Sequence, residues 1–491
     1  MDYSGITFTN HYVGEGATPE VPYPEQYRQA DEFTTPMRAI IDFSSQVQLI
    51  VGELNEALAA EGEMVMGEMQ AESLSSVEFA SQVHNMVNQY ILAVKARAVA
   101  EEAIKQLAQG MKPVITLENT LEGPFTETME LGYESNFRGL LMRYLYKALD
   151  VTRKKIDGTR VTEHLNLEQL MESEDARTAQ IARMLKDEHD AIMGAIGEAD
   201  VADLHISPID TIKEIIEEAG YTIGEITGRQ SGIRRDGKLY KRAGRETKAA
   251  GKNQTLEQFN NAGKGGVRGY DALLLNRSGA VGISAHASPK FFDKRSRRML
   301  IAQPNADISI MMQMYGRIFR KGQMSLPQYL HLLSQIAAER RIAGVLAKKL
   351  KGLKANTTSN AKGTENTDSP DLFNNYGDTA TYTMLARHPE IVELLENSIS
   401  GGLPPQFDDD GNDLIRAGGV FFKKTSGEVN ILPAKWQDIF YNEAEAEWKA
   451  IVENETAMGT NELLVDRLNL NAKTTASEVI AASVGDTEFE G

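Results

Sequence analysis

Four short apolar runs constrain the fold of this 491-residue chain more than any other feature. They are Val114-Ile-Thr-Leu117, Ala272-Leu-Leu-Leu-Asn276, Met299-Leu-Ile-Ala302 and Tyr329-Leu-His-Leu-Leu333. Nearly continuous apolar runs of this length, bounded by turn residues, read as strands buried on both faces. Helical patterns separate them. Val87, Ile91, Val94 and Ala98 recur at helical intervals before the first run, and Gly110 marks that helix's stop. Ile209 to Ala219 is amphipathic and ends at Gly220, and Leu256 to Asn260 forms a short helix. Helix alternating with buried strand predicts an α/β fold around a parallel, doubly wound sheet.

The flanks read differently. Residues 1 to about 35 are rich in Pro, Gly, Tyr and acid without periodicity, which predicts an extended arm, and Pro36 to Met69 carries a thin helical face. Phe137 to Glu198 reads as helix after helix, an inserted bundle. Gly401 to Gly427 has hairpin or loop chemistry, Trp436 to Leu468 is helical, and Ser483 to Gly491 reads as a disordered tail. The expected division is an arm and helical extension over 1–80 and a sheet-bearing lobe over 81–125 plus 205–355. A helical insertion fills 126–204, and a mainly helical accessory region with a flexible tail fills 356–491.

Composition narrows the chemistry. Hydrophobic residues make up 41% and charged residues 25%, as in soluble globular proteins. No apolar run approaches 18 residues and no leader is visible, so no membrane partner is expected and a cytoplasmic setting is. Cysteine is absent, which excludes disulfides and thiolate metal sites. The eight histidines show no paired ligand spacing, so no metal site is expected. A net charge of −18 argues against a general nucleic-acid coat. Yet Gly228 to Gln254 holds nine basic residues (Arg229, Arg234, Arg235, Lys238, Lys241, Arg242, Arg245, Lys248, Lys252) against Asp236 and Glu246. A polyanion would bind there.

Three motif-like stretches are weak. Gly232-Ile-Arg-Arg-Asp-Gly237-Lys238 fits a phosphate loop only up to its lysine, because Leu239 replaces the required hydroxyl and Asp236-Gly237 suits a hairpin turn. Asp187-Glu-His-Asp190 lies within a helical pattern and reads as a solvated face. Asp408 to Asp413 has the composition of a calcium loop without its spacing, and reads as a polar turn. Two others carry chemistry. Asn276 to Ser284 is a Gly-rich turn after a buried strand, where Gly279 and Gly282 would let backbone approach a ligand. Gln313, Arg317 and Arg320 are spaced to share one helical face, and such guanidinium forks grip phosphate oxygens.

Taken in order, these segments resemble the second RecA-like lobe of a superfamily 2 helicase of the strawberry notch type. The similarity runs over roughly 80–125 and 205–365, with a weaker echo over 430–475. Its fifth motif resembles Arg277 to Ser284, its sixth Gln313 to Gln323, followed by a signature like Leu332-Leu-Ser-Gln-Ile-Ala-Ala-Glu-Arg-Arg341. The resemblance implies that Arg317 and Arg320 contact the γ-phosphate of ATP, with Arg320 as arginine finger. It implies that Gln313, Gly316, Gly279 and Gly282 line the nucleotide. Arg229, Arg234, Arg235, Lys238, Lys241, Arg242, Thr116 and Ser284 are the candidates for nucleic-acid contacts. Arg277 stands where the family tends to have an acid. The family's first lobe, with its phosphate loop and acidic box (Walker A and B), has no counterpart in the 80 leading residues. ATP and Mg2+ are therefore expected only in complex with a separately encoded N-terminal lobe, and none is bound by this chain alone. DNA is the expected polymer, and a phage or mobile-element origin is implied. The alternative is a non-catalytic structural or DNA-binding protein that retains the lobe.

Overall fold

The computed structural model describes residues 8–14, 24–66, 73–76, 80–120, 122–155, 158–201, 203–234, 236–242, 248–277, 282–304, 307–339, 341, 344, 371–395, 399, 401–408 and 410–463. Its strands are β1 (Phe8–Val13), β2 (Ser73–Ser76), β3 (Lys112–Thr116), β4 (Asp150–Lys154), β5 (Arg160–His164), β6 (Ile223–Ile226), β7 (Ser231–Ile233), β8 (Leu239–Lys241), β9 (Ala272–Leu275), β10 (Arg297–Ile301) and β11 (Gln328–Ser334). The helices used below are α1 (Glu25–Met66), α2 (Ala80–Ala108), α3 (Glu122–Glu130), α4 (Phe137–Ala148), α5 (Leu167–Met171), α6 (Ala176–Glu198), α7 (Pro208–Glu218), α8 (Ala249–Asn260), α9 (Ile308–Tyr315), α10 (Asn375–Arg387), α11 (Pro389–Leu394), α12 (Val420–Val429) and α13 (Ala434–Met458).

Six strands form one all-parallel sheet in the order β1-β11-β10-β3-β9-β6. This is the parallel α/β sheet that the four apolar runs predict, and it is consistent with the RecA-like lobe that the resemblance implies. Successive residues of a strand point to opposite faces, and both faces are dry. Val114, Leu273, Met299 and Tyr329 pack on the face covered by α8 and α9. Ile115, Leu274, Leu300 and Leu332 pack on the other, against α2 and α7. That two-sided burial is why the runs are unbroken. Gly110 stops α2 as expected: at φ 75° it lets Met111 N reach Gln106 O and its own N reach Leu107 O.

The flanks depart from expectation at the N-terminal arm, in the insertion and at α12, which opens at Val420 inside the 401–427 stretch read as hairpin or loop. Part of the 1–35 arm is ordered into structure: Phe8 to Val13 joins the sheet edge beside β11, and Phe8 stacks on Tyr329 with ring centroids 4.7 Å apart. Helix α1 then starts at Glu25 and runs through Pro36, because Phe33, Met37, Ile40, Phe43, Val47 and Ile50 bury a continuous stripe. The insertion is not purely helical either. A β4–β5 hairpin, with Gly158 at φ 82°, pairs with β2 between α4 and α5. The repeated Val-Thr pairs at 151–152 and 161–162 are the strand signal that a helical reading passes over. Beyond residue 400, a polar turn with a Phe407–Asp413 bridge precedes α12, and α10, α12 and α13 share a core. The tail after 463 lies outside the described residues. No helix among the described residues is long and apolar enough to cross a membrane.

His331 sits inside this core. It is buried in β11 with Tyr315 Oη at 2.9 Å from Nε2, and burial, with Lys95 adding to it, pushes its pKa down to about 4. The unfolded chain takes up that proton below about 6.5, whereas the folded chain resists until about 4. The stabilisation is thus full above 6.5 and lost as pH falls through 4, a loss of about 3 kcal/mol. We expect urea midpoints to fall more steeply between pH 7 and 4.5 in the native chain than in His331→Gln. Equal slopes would remove His331 from the acid response.

Candidate functional site: an unneutralised arginine pair

Residues that lead into parallel strands share one edge of the sheet. Loops 264–270, 290–296 and 321–327 lead into β9, β10 and β11, so they line the strand-start edge. Helix α9 follows β10 and runs back across the sheet. Asp307 caps it, accepting from Ser309 N at 2.8 Å, while Met311, Met314 and Tyr315 bury against the strands. The helix ends at Tyr315, with buried Gly316 as its cap. The expectation of one continuous helical face is therefore corrected. Gln313 is helical and exposed, but Arg317 lies in the following turn and Arg320 beyond it.

The turn nonetheless brings the two guanidiniums together. Arg317 Nη1 donates to Ile283 O at 3.3 Å, and Arg320 Nη2 donates to the same oxygen at 3.4 Å. Ala285 N donates to Arg317 O at 2.8 Å, and Arg297 Nε, at the start of β10, donates to Ala285 O at 3.1 Å. Ile283 and Ala285, which follow the Gly-rich stretch after β9, thus lie at the strand-start edge beside the arginines. Gly282, just before Ile283, has φ 76° and is exposed; Gly279 lies outside the described residues.

Among the described residues, charge is left uncompensated at this point. Neither arginine pairs with a carboxylate among the described residues, and the Nε of each is buried without a partner. His286 is also buried, with Nδ1 unpartnered. Burial, followed by the charge of Arg320, pushes the Arg317 pKa down. Neighbouring cations are neutralised instead: Asp293 accepts from Lys112 at 2.6 Å and from Arg295 at 2.7 Å. Unpaired buried donors cost about 1–3 kcal/mol each, so an oxyanion that satisfied them would bind favourably. Arg317 is nine-tenths buried, whereas Arg320 is half-buried and opens to solvent.

The basic segment divides. Arg229 has no exposed surface to speak of: it donates to Asp210 at 2.6 and 2.8 Å and to Glu225 at 2.8 and 2.9 Å. Arg242 is buried over the same Glu225, at 2.9 Å. Both are thereby corrected from nucleic-acid candidates to structural ion pairs, because their donors are spent inside the fold. Thr116 is fully buried in β3 and is withdrawn as a nucleic-acid candidate because the fold covers it. Ser284 is half-buried near the arginine pair, its carbonyl accepting from Asn260 Nδ2 at 2.9 Å. The surviving cations sit on the β7–β8 hairpin, turned at Gly237 with φ 77° as Asp236-Gly237 suggests. Arg234, Lys238 and Lys241 are exposed there, and Arg235 lies outside the described residues. Glu122 Oε1 fastens the hairpin by accepting from Gln230 N at 2.7 Å and Ser231 N at 2.6 Å. Following β6, the hairpin occupies the strand-end edge, opposite the arginine pair. Among the described residues no cluster of three or more His, Asp or Glu is placed to hold a metal.

The sequence profile described as "C-terminal domain on Strawberry notch homologue" matches residues 210–465, just over half of the chain. The chain belongs to this family. It is 29% identical over 227 residues to human protein strawberry notch homolog 2, covering 43% of this chain and 16% of that protein. It is 27% identical over 186 residues to the Drosophila melanogaster protein strawberry notch, covering 36% and 11%. It is 25% identical over 192 residues to Arabidopsis thaliana protein FORGETTER 1, covering 38% and 14%. Each match thus spans less than a fifth of the relative's length. A helicase-related C-terminal region is established by this membership. The strawberry notch profile begins at Asp210, the residue that anchors Arg229, and takes in Ile283, Arg317 and Arg320. The strands β3 and β1, which complete the sheet, lie outside it.

Sequence reading missed the carboxylate side of the Arg229 network. Asp210 and Glu225 sit on separate elements, 15 residues apart, and no spacing along the chain relates them to each other. The available signal was Glu225 within an otherwise apolar strand, where an unpaired charge would be prohibitive.

Proposed function

We propose that this chain is the C-terminal subunit of a split strawberry notch-like DNA helicase or translocase. In this reading a separately encoded lobe holds ATP and Mg2+ through a Gly-x-x-x-x-Gly-Lys-Ser/Thr loop and an acidic box. Arg320 reaches across to the terminal phosphate, and Arg317 holds the turn that aims it. Gln313 and Gly316 complete that helix end, and Gly282 lets the neighbouring backbone come close. Guanidiniums there would neutralise charge that develops on the transferred phosphoryl group. The observation that carries the reading is two convergent arginines with no carboxylate partner among the described residues, a state that packing alone does not require. The residues fit the phosphate end of ATP; the metal-holding side belongs to the other lobe. DNA would lie at the strand-end edge on Arg234, Lys238 and Lys241, contacts that bind phosphates without reading sequence. A phage or mobile-element source forms part of this proposal.

The test is to purify the chain with its phosphate-loop partner and measure ATP turnover with and without duplex DNA. Turnover that depends on both proteins and rises with duplex supports the proposal; a partnerless chain rejects it. For the hairpin, Lys238→Glu with Lys241→Glu should weaken DNA binding uniformly across sequences. The slope of log affinity against log salt should shrink by about 1 for each lysine–phosphate pair removed. An unaltered slope would move DNA elsewhere.

The burial of Arg317 favours a second reading, in which the lobe is kept for structure and DNA binding without catalysis. The two part at turnover: the structural reading predicts none in any complex.

A further inference from the structure

The small β2-β4-β5 sheet of the insertion ends in an open edge at β5. Leu165 N donates to Leu149 O at 2.9 Å and Lys155 N to Thr159 O at 2.8 Å, which fixes the alternation of the antiparallel pair. Val161 and Glu163 therefore exchange backbone bonds with β4, whereas the N–H and C=O groups of Arg160, Thr162 and His164 point away from it. Among the described residues, none of these three has a backbone partner on that outer side, and all three are exposed. A cavity of about 390 Å3 opens where the edge ends. Its floor is apolar, with Leu145, Leu149, Leu165 and Leu167 buried, and exposed Met193 of α6 stands at its mouth. Tyr146 stacks on His164, ring centroids 4.0 Å apart, as one wall. Two of the charges here are already matched: Lys186 donates to Asp190 at 2.6 Å, and His164 Nδ1 lies 2.8 Å from Asp150. Exposed Glu168 has no cation partner among the described residues. All of this lies outside the matched span of 210–465.

We infer that the insertion captures an extended segment of a partner protein, which adds to β5 as a fourth strand and seats a large apolar side chain in the cavity, with a Lys or Arg beside Glu168. This surface is independent of the split-helicase reading, and its failure would leave that reading untouched. Outward N–H and C=O groups on an edge strand are a template for another strand, and they supply affinity without regard to side chains. The adjoining cavity supplies selectivity, because an aromatic or long aliphatic side chain buried there leaves water. A second copy of this chain fits poorly. Paired antiparallel about Thr162, it would bring Arg160 and Gly158 to the cavity, a charge and a residue with no side chain. Nucleic acid cannot extend a strand ladder and would meet Glu168 with like charge.

The probe is a fluorescein-labelled peptide of alternating threonine and valine with one tryptophan followed by lysine, titrated into the full chain. Anisotropy should report binding, and amide exchange should slow over residues 160–164. Glycine in place of the peptide's tryptophan should lower affinity at least about tenfold. Thr162→Pro removes one outward N–H at an edge position where proline is tolerated. Met193→Trp fills the cavity mouth from an exposed position. Each should weaken binding as much, with an unchanged thermal midpoint. No binding of the tryptophan peptide, or equal binding in both variants, overturns the inference. Sensitivity to Met193→Trp alone would mean a cavity that takes a side chain without strand pairing, and overturns it too. Exchange already slow over 160–164 without peptide, in a dimer that Thr162→Pro dissolves, would give the edge to a second copy and likewise overturn it.

Discussion

Arg320→Ala should leave the chain folded and lower ATP turnover of the assembled pair by about 10³–10⁵-fold, the range for removal of an arginine finger. That corresponds to about 4–7 kcal/mol of transition-state stabilisation. The fold should tolerate the change because the guanidinium makes one long bond, 3.4 Å to Ile283 O, and its neighbour Gln323 grips the backbone N of residue 320 instead of its side chain. Truncation even relieves the like charge beside Arg317. Arg320→Lys sharpens the test. A lysine restores charge but not the planar fork, so it should recover little of the lost rate if bidentate grip matters. Arg317→Ala should behave differently and also lower the thermal midpoint, since that side chain is buried against the 283–285 turn. Unimpaired turnover in Arg320→Ala would refute the assignment.

Arg229→Met should destabilise the chain by about 3–5 kcal/mol, because it strands two carboxylates in the interior. Burial by itself would raise the pKa of Asp210 and of Glu225. The Arg229 guanidinium outweighs it at both sites, with Lys213 helping at Glu225, and holds both below the usual carboxylate range. For acids held low in the fold, the stabilisation is complete above their ordinary values near 4 and disappears as pH falls below them. The gap between native and Arg229→Met chains should accordingly be widest at neutral pH and close in acid. Denaturant midpoints at pH 7 and pH 2.5 measure it. Adding Asp210→Asn and Glu225→Gln to Arg229→Met should recover part of the loss by removing the stranded charges. A variant as stable as the native chain would show that water reaches this network. The same loss should loosen the hairpin, since Asp210 also accepts from Ile233 N at 2.8 Å and Tyr240 Oη at 3.0 Å.

The legibility of this chain follows the range of the forces involved. Strands buried on both faces must be apolar throughout, so β3, β9, β10 and β11 were visible as runs, and with them the parallel lobe. Gly110 and Asp236-Gly237 were readable because a left-handed backbone leaves few residue choices. Edge strand β1 was hidden: with one neighbour and a partly wet surface, Phe8 to Val13 carries no continuous run. The β4–β5 hairpin was masked by charged residues that a solvated antiparallel pair tolerates. At the site, the residue types were legible and their geometry was not.

What the sequence by itself determined is the set of parts: a two-faced sheet, a Gly-rich turn, two arginines three residues apart and a cluster of cations. Tertiary structure alone decided which cations are free. Arg229 and Arg317 are the same residue type in equally polar stretches, yet one meets Asp210 and Glu225 and the other meets a carbonyl and another guanidinium. A charge's availability depends on what the fold carries to within about 4 Å of it, where Coulomb energy and desolvation are both steep. Those neighbours come from elements that spacing along the chain does not relate.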